Sequence, residues 1–198
     1  DMTGASRSRV LALDAMVPVV APGNPVTSIE LPQLAQVFAG KITNWQDLGG
    51  PDAPISLHLP VAGSGLAQAV EDRLLKPAKL PLSGDLRRHD RSSGLARAVT
   101  TDPFAIGIAS YAETGTSRIL TLSGPCGFDL SAGRRTIKTE DYPLSAPMFL
   151  YLPARRLPKM ARDFLNYVRG PAAQVVIRRA GFVDQAPEKI SVRSQGQR

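Results

Sequence analysis

The run VPVVAPGNPVTSIELPQLAQVFAGKITNWQDLGG, from Val17 to Gly50, limits the possible folds more than any other stretch. It closes a longer aliphatic segment, VLALDAMVPVV, which starts at Val10 and reads as a buried strand with a break at Asp14 or Pro18. Pro18 has no backbone donor, so it belongs at a strand edge or at a crossover. Ala21 to Pro25 is a Pro/Gly/Asn turn. Leu31, Leu34, Val37 and Phe38 then recur at helical spacing, with Thr27 or Ser28 as cap, Pro32 in the first turn and Gly40 at the end. Asn44 and Trp45 open a turn that closes at Gly49 and Gly50, and Trp45, the single tryptophan, reads as a core anchor beneath it. A helix of only about two turns favours small lobes over one large doubly wound domain.

Beyond this run, strands and helices alternate. Ile55 to Leu59 is a predicted strand, followed by Gly63-Ser64-Gly65 and a helix through Leu66, Ala69, Val70 and Leu74. Strand, glycine loop and helix start together form a natural anion site, because the first N–H groups of a helix are free to donate. A short helix starts at Ser92 or Ser93, and PFAIGIASY follows as a strand containing a glycine. Arg118 to Leu122 and Pro147 to Leu152 are further strands, with a long excursion from Gly124 to Thr139 between them. Leu157, Ala161, Phe164, Leu165 and Val168 make a helical stripe; a second helix runs to Ala180, with Gly181 beyond it and Phe182-Val183 packing back. Glu188 to Arg198 is polar and reads as a linker. Alternation of this kind belongs to the α/β class.

Composition removes several functions. Hydrophobic residues are 43% and charged residues 21%, a globular balance. No apolar run reaches the length of a membrane helix, and no signal peptide is visible. Asp1 is not a natural start, so the chain reads as a processed or trimmed fragment. Cys126 is the single cysteine and reads as an inert thiol. His58 and His89 are the only histidines, without metal-ligand spacing, so no cofactor is expected. The formal charge of +7 could steer anions to a cleft. Its arginines and lysines are scattered, without interleaved aromatics, so the basic surface reads as a solvated face and no nucleic acid is expected as partner.

The order of these segments resembles the phosphate-type solute-binding proteins of bacterial transport systems. LALDAMVPVVAPGNPV is similar to the family's crossover strand and turn, and FAGKITNWQDLGG to its helix-end motif. Gly63-Ser64-Gly65 stands where the family has a Ser-Gly-Thr anion loop. DPFAIGIASYAE, DYPLSAPMFLYLP and FLNYVRGPAAQVVIRRAGFV resemble its later strand, return strand and last two helices. The tail SVRSQGQR resembles the link to a peptidoglycan-binding OmpA-like domain in fused members.

The resemblance implies a periplasmic-binding-protein type II fold: two small α/β lobes with crossing strands, the first lobe incomplete. Residues 16–110 would form the middle lobe with the Ser-Gly loop. Residues 1–15 and 111–187 would be the remainder of the first lobe, and 188–198 a polar tail. It further implies a non-catalytic receptor in the bacterial periplasm or cell envelope, with phosphate or another small oxyanion as ligand and transporter membrane subunits as partners. By position, Gly63, Ser64, Gly65 and Leu66 would form the ligand loop, and Asp14 would orient the strand crossover or face the cleft.

Two departures weaken that loop. Leu66 replaces the family's threonine, and Pro60 replaces an arginine four residues before the serine, so a bidentate, charge-assisted partner is missing. Arg73 or Arg91 are candidates to replace it. The family's first strand, loop and helix are also absent, which would expose apolar surface and favour a homodimer. An envelope scaffold with a degenerate site, and a site for a small organic ligand, are the alternatives. A hydrolase is a further one: Ala62-Gly63-Ser64-Gly65-Leu66 does not match a nucleophile elbow, and only His58 and His89 could supply a base. Tyr142 and Tyr151 read as packing residues.

Overall fold

The computed structural model describes residues 7–124, 129–153 and 156–186. Cys126 and the tail from Glu188 to Arg198 lie outside them. A 14-residue strand, β1 (Arg7–Val20), is the spine of the fold. Its first half, Arg7 to Ala15, pairs antiparallel with β9 (Ser145–Leu152), and its second half, Met16 to Val20, pairs antiparallel with β5 (Ala105–Ser110). The expected break is therefore not a break: the strand is continuous, with a register shift between Val10 and Ala12 and a change of partner after Ala15. Pro18 lies opposite Ile108, and its carbonyl accepts from the Leu120 N–H at 2.9 Å.

The main sheet runs β4-β3-β5-β1-β6, with β3 (Ser56–Pro60) parallel to both β4 (Arg87–His89) and β5, and β6 (Arg118–Ile119) antiparallel to β1. A small second sheet joins β2 (Ser28–Glu30), β7 (Thr121–Ser123) and β8 (Asp129–Leu130). Ser28 thus belongs to a strand and does not cap the following helix. In α1 (Leu31–Phe38) the capping residue is Glu30, in a reciprocal box with Gln33. The predicted strand Arg118 to Leu122 is two short strands in two different sheets, and the predicted excursion after Gly124 contains the helix α5 (Arg134–Lys138).

The core fills from both faces of the main sheet. All six residues of β5 are buried. Gly107 is required there, since a Cβ at that position would stand 2.6 Å from Leu95 Cδ2 on α4 (Ser92–Thr101). Trp45 is fully buried, and its Nε1–H donates to the Phe104 carbonyl at 2.8 Å, so the turn Trp45–Leu48 is pinned to the start of β5. Tyr142 is buried and donates to the Met16 carbonyl. Tyr151 corrects the sequence expectation: it is 56% exposed, near Phe149 on the outer face of β9.

The opposite face of β9, Leu150 and Leu152, looks toward α6 (Lys159–Arg169), a strongly amphipathic helix in which no residue is buried. Met160, Phe164 and Tyr167 present their side chains outward, and α7 (Pro171–Arg179) adds Val176. Among the described residues no helix is long and apolar enough to cross a membrane.

Candidate ligand cleft

The three parallel strands β4, β3 and β5 end on the same side of the sheet, and ligands of open α/β sheets sit outside such carboxyl ends. After β3 the chain turns through Gly63, at φ +82°, and enters α2 (Gly65–Val70), which continues through Glu71–Leu75 into α3 (Lys76–Ala78). After β4 it enters α4. β5 ends at Ser110. These three ends, with Asp14 of β1, Ala146 to Met148 of β9 and Phe182, enclose a cleft of about 500 Å³.

Asp14 stands where β1 leaves β9, opposite Ala146 in the register. Its Oδ2 accepts from Ser110 Oγ at 2.6 Å and its Oδ1 from the Ala15 N–H at 2.8 Å. Burial pushes its carboxyl up, against the bonds from Ser110 and the N–H groups of Ala15, Ala112 and Tyr111, which favour the ionised form. Ser110 Oγ also accepts from the Ala112 N–H, so this serine both caps a turn and holds the carboxylate.

Of the expected loop, Gly65 and Leu66 line the cleft; Gly63 and Ser64 do not. Ser64 is the N-cap of α2, its Oγ accepting from the Ala67 N–H at 3.2 Å. Gly65 and Leu66 are the first two helical residues and have no intrahelical acceptor for their N–H groups. Leu66 puts an aliphatic side chain in the same wall. Of the two candidate arginines, Arg73 lines the cleft and Arg91 does not. Arg73 projects from the continuation of α2 and donates to the Ser145 carbonyl at the start of β9. Pro60, in β3, accepts from Arg88 through its carbonyl.

Sequence reasoning placed Ser92 only as a helix start and missed Ser110 and Glu113. Ser92 Oγ accepts from the Ser110 N–H, tying the start of α4 to the end of β5. Glu113 Oε2 accepts from the Ser93 N–H at 3.3 Å, at the same helix start. A serine closing an apolar strand, SYAE after AIGIA, was the available signal.

The residues weighed for hydrolysis lie elsewhere. His58 and His89 stack on each other, Nδ1 to Nε2 at 2.9 Å, and neither lines the cleft. His58 is buried; burial, together with the His89 and Arg87 charges, lowers its pKa to about 4. Among the described residues no three His, Cys, Asp or Glu are arranged to hold a metal. A second cavity, about 670 Å³, lies between the β1–β9 ribbon and the helices α6 and α7; none of the expected site residues lines it.

The basic residues are not all a solvated face. Arg134, Lys138 and Arg178 converge on Asp184, which is 1% exposed. Burial works to raise its carboxyl, but the Arg178 bond, the Ala186 N–H and the Lys138 charge outweigh it and hold it at about 2.

Comparison with known proteins agrees with this architecture. Protein SphX of Synechococcus elongatus is 27% identical over 185 residues, covering 87% of this chain and 54% of its own length. Phosphate-binding protein PstS of Bacillus subtilis is 25% identical over 187 residues, covering 94% of this chain and 60% of its own. The chain thus spans about half to two thirds of these curated relatives. A crystal structure from Clostridium perfringens, described as a phosphate ABC transporter substrate-binding protein with bound phosphate, superposes with a TM-score of 0.79 at 22% identity, over 91% of this chain and 72% of that one. An ABC-type phosphate transport receptor of Vibrio cholerae gives 0.75 at 21%, over 92% and 73%. These likenesses establish the fold, and the family model for the PBP superfamily domain matches residues 3–171. Sheet order, crossing strand and this match agree: the chain belongs to the PBP superfamily domain family.

Proposed function

We propose that the chain is a non-catalytic solute-binding unit of the bacterial periplasm or cell envelope, with phosphate or a related oxyanion as ligand. The convergence of the α2 start, the α4 start and Asp14 on one cleft carries the reading. The N–H groups of Gly65 and Leu66 supply donors without a counter-ion, and Ser92, whose hydroxyl hydrogen no described residue accepts, stands beside them, while Ser110 gives its hydrogen to Asp14. The relative PstS, a phosphate-binding protein, supports the same ligand class. Residues 16–110 would act as one lobe and 1–15 with 111–187 as part of the other. Transporter membrane subunits would be the partner, and a peptidoglycan-binding domain after the tail and a homodimer are the finer extensions of this reading.

Isothermal titration with inorganic phosphate tests it. The expected result is saturable binding at one site, abolished by Leu66→Trp, which fills the cleft. Phosphate binding that this variant leaves intact would place the ligand elsewhere. A scaffold reading is favoured by the exposed apolar and aromatic side chains of β9 and of α6, and it requires that no phosphate binds.

A further inference from the structure

The charge inside the cleft does not match the charge of the chain. The sequence carries +7, yet among the described lining residues Arg73 is the one cation, facing two carboxylates, Asp14 and Glu113. The two differ in how they are satisfied. Asp14 is surrounded by donors from Ser110, Ala15, Ala112 and Tyr111. Glu113 is exposed at the cleft mouth: it receives one bond, a long one of 3.3 Å from the Ser93 N–H, and its second oxygen has no donor among the described residues and is open to solvent. It also occupies the start of α4, where the helix dipole and free N–H groups would otherwise attract an anionic ligand. Arg73 is already engaged with the Ser145 carbonyl.

The volume points the same way. A cavity of about 500 Å³ falls in the range of roughly 300–1,000 Å³ that holds small organic ligands. One wall, Leu66, Ala69, Met148 and Phe182, is apolar or aliphatic.

We propose that Glu113 sets the charge class of the occupant: the cleft prefers an oxyanion that also carries a cationic group, received by the free Glu113 oxygen, over a bare inorganic dianion. The oxyanion end lies on the Gly65 and Leu66 N–H groups, and the organic body lies along Leu66, Ala69 and Met148. The inference rests on the solute-binding reading above.

The test compares inorganic phosphate with phosphorylethanolamine by isothermal titration, at low and at moderate salt, on the unaltered chain and on Glu113→Gln. The glutamine keeps an oxygen to accept from Ser93, and thermal melting checks that the fold is retained. The unaltered chain is expected to bind phosphorylethanolamine about tenfold more tightly than phosphate. Glu113→Gln is expected to reverse the order, with phosphate gaining and phosphorylethanolamine losing about tenfold, and with a weaker salt effect. Tighter phosphate binding by the unaltered chain, or a ligand ratio that Glu113→Gln leaves within twofold, would overturn the role of Glu113 and leave the solute-binding reading standing. Absence of binding by either ligand to both proteins would overturn that reading, and this inference with it.

Discussion

Replacing Asp184 with asparagine isolates one buried charge and the cations that surround it among the described residues. Asp184 sits just beyond the last helix, 1% exposed, and receives Arg178 at 3.0 Å, Arg134, the Lys138 charge at 3.7 Å and the Ala186 N–H at 3.0 Å. Its carboxyl is held at about 2, against 3.8 for an unperturbed aspartate. A fall of nearly two units corresponds to about 2 kcal/mol of folding stability at neutral pH. The partner side chains are 22–52% exposed, so water screens part of their attraction and about 2 kcal/mol is the upper end. Because the folded pKa is depressed, the contribution is fully present above pH 4. It is lost as the pH falls through about 2. Urea unfolding followed by Trp45 fluorescence, on the parent and Asp184→Asn between pH 7 and pH 2, measures it. The expected gap is about 1–2 kcal/mol at pH 7, constant down to pH 4, and closing below. A gap under about 0.5 kcal/mol, or one that stays constant from pH 4 to pH 2, would refute the electrostatic account.

Two further outcomes follow from the core. Gly107→Ala drives a methyl to 2.6 Å from Leu95 Cδ2 and 3.1 Å from Val99 Cγ2 inside a fully buried strand, so it should cost about 2–3 kcal/mol in urea unfolding; a neutral substitution would mean that α4 moves away freely. His58 should stay neutral at pH 6 and titrate near 4 in its ring proton resonances. Its folded pKa lies below the unfolded value, so stability should decline as the pH falls from 6.5 to 4 and this decline should stop below 4; a midpoint above 6 would contradict the burial argument. The orphan His58 Nε2 agrees with that state. With Nδ1–H donating to His89, only a bare lone pair is left unpartnered, not a donor.

Features set by local sequence were legible. The α1 stripe, the Trp45 anchor, the glycine after α7 and the helix start beyond Gly63-Ser64 each depend on residues a few positions apart. Features set by tertiary approach were not. Ser110 reaches Asp14 across 96 positions, and Glu113 reaches Ser93 across 20. The Asp184 cluster draws on two helices and a terminal segment, so its cations were counted as surface. Pro18 suggested a break that never forms, because β1 pairs with β9 along its first half and β5 along its second and changes partner without changing direction. Ser64, the most conspicuous loop residue, turned out to spend its oxygen on its own helix, while its neighbours Gly65 and Leu66 face the cleft.

Long-range attraction and local selection are therefore divided between different parts of the molecule. A surface of net charge +7 draws anions of every kind toward the protein and is blunted by salt. At the cleft, among the described lining residues, that field meets Asp14 and Glu113 with one arginine, so the local charge opposes the overall one. Pro60 and Leu66, on either side of the loop, contribute neither a charge nor a hydroxyl. On the proposed reading, what discriminates among ligands is geometry: backbone N–H groups for the oxyanion, an apolar wall for a body, and the exposed Glu113 oxygen for a donor. On the proposed solute-binding reading, a cleft built this way would gain selectivity by penalising the simple dianion, not by holding another ligand more tightly.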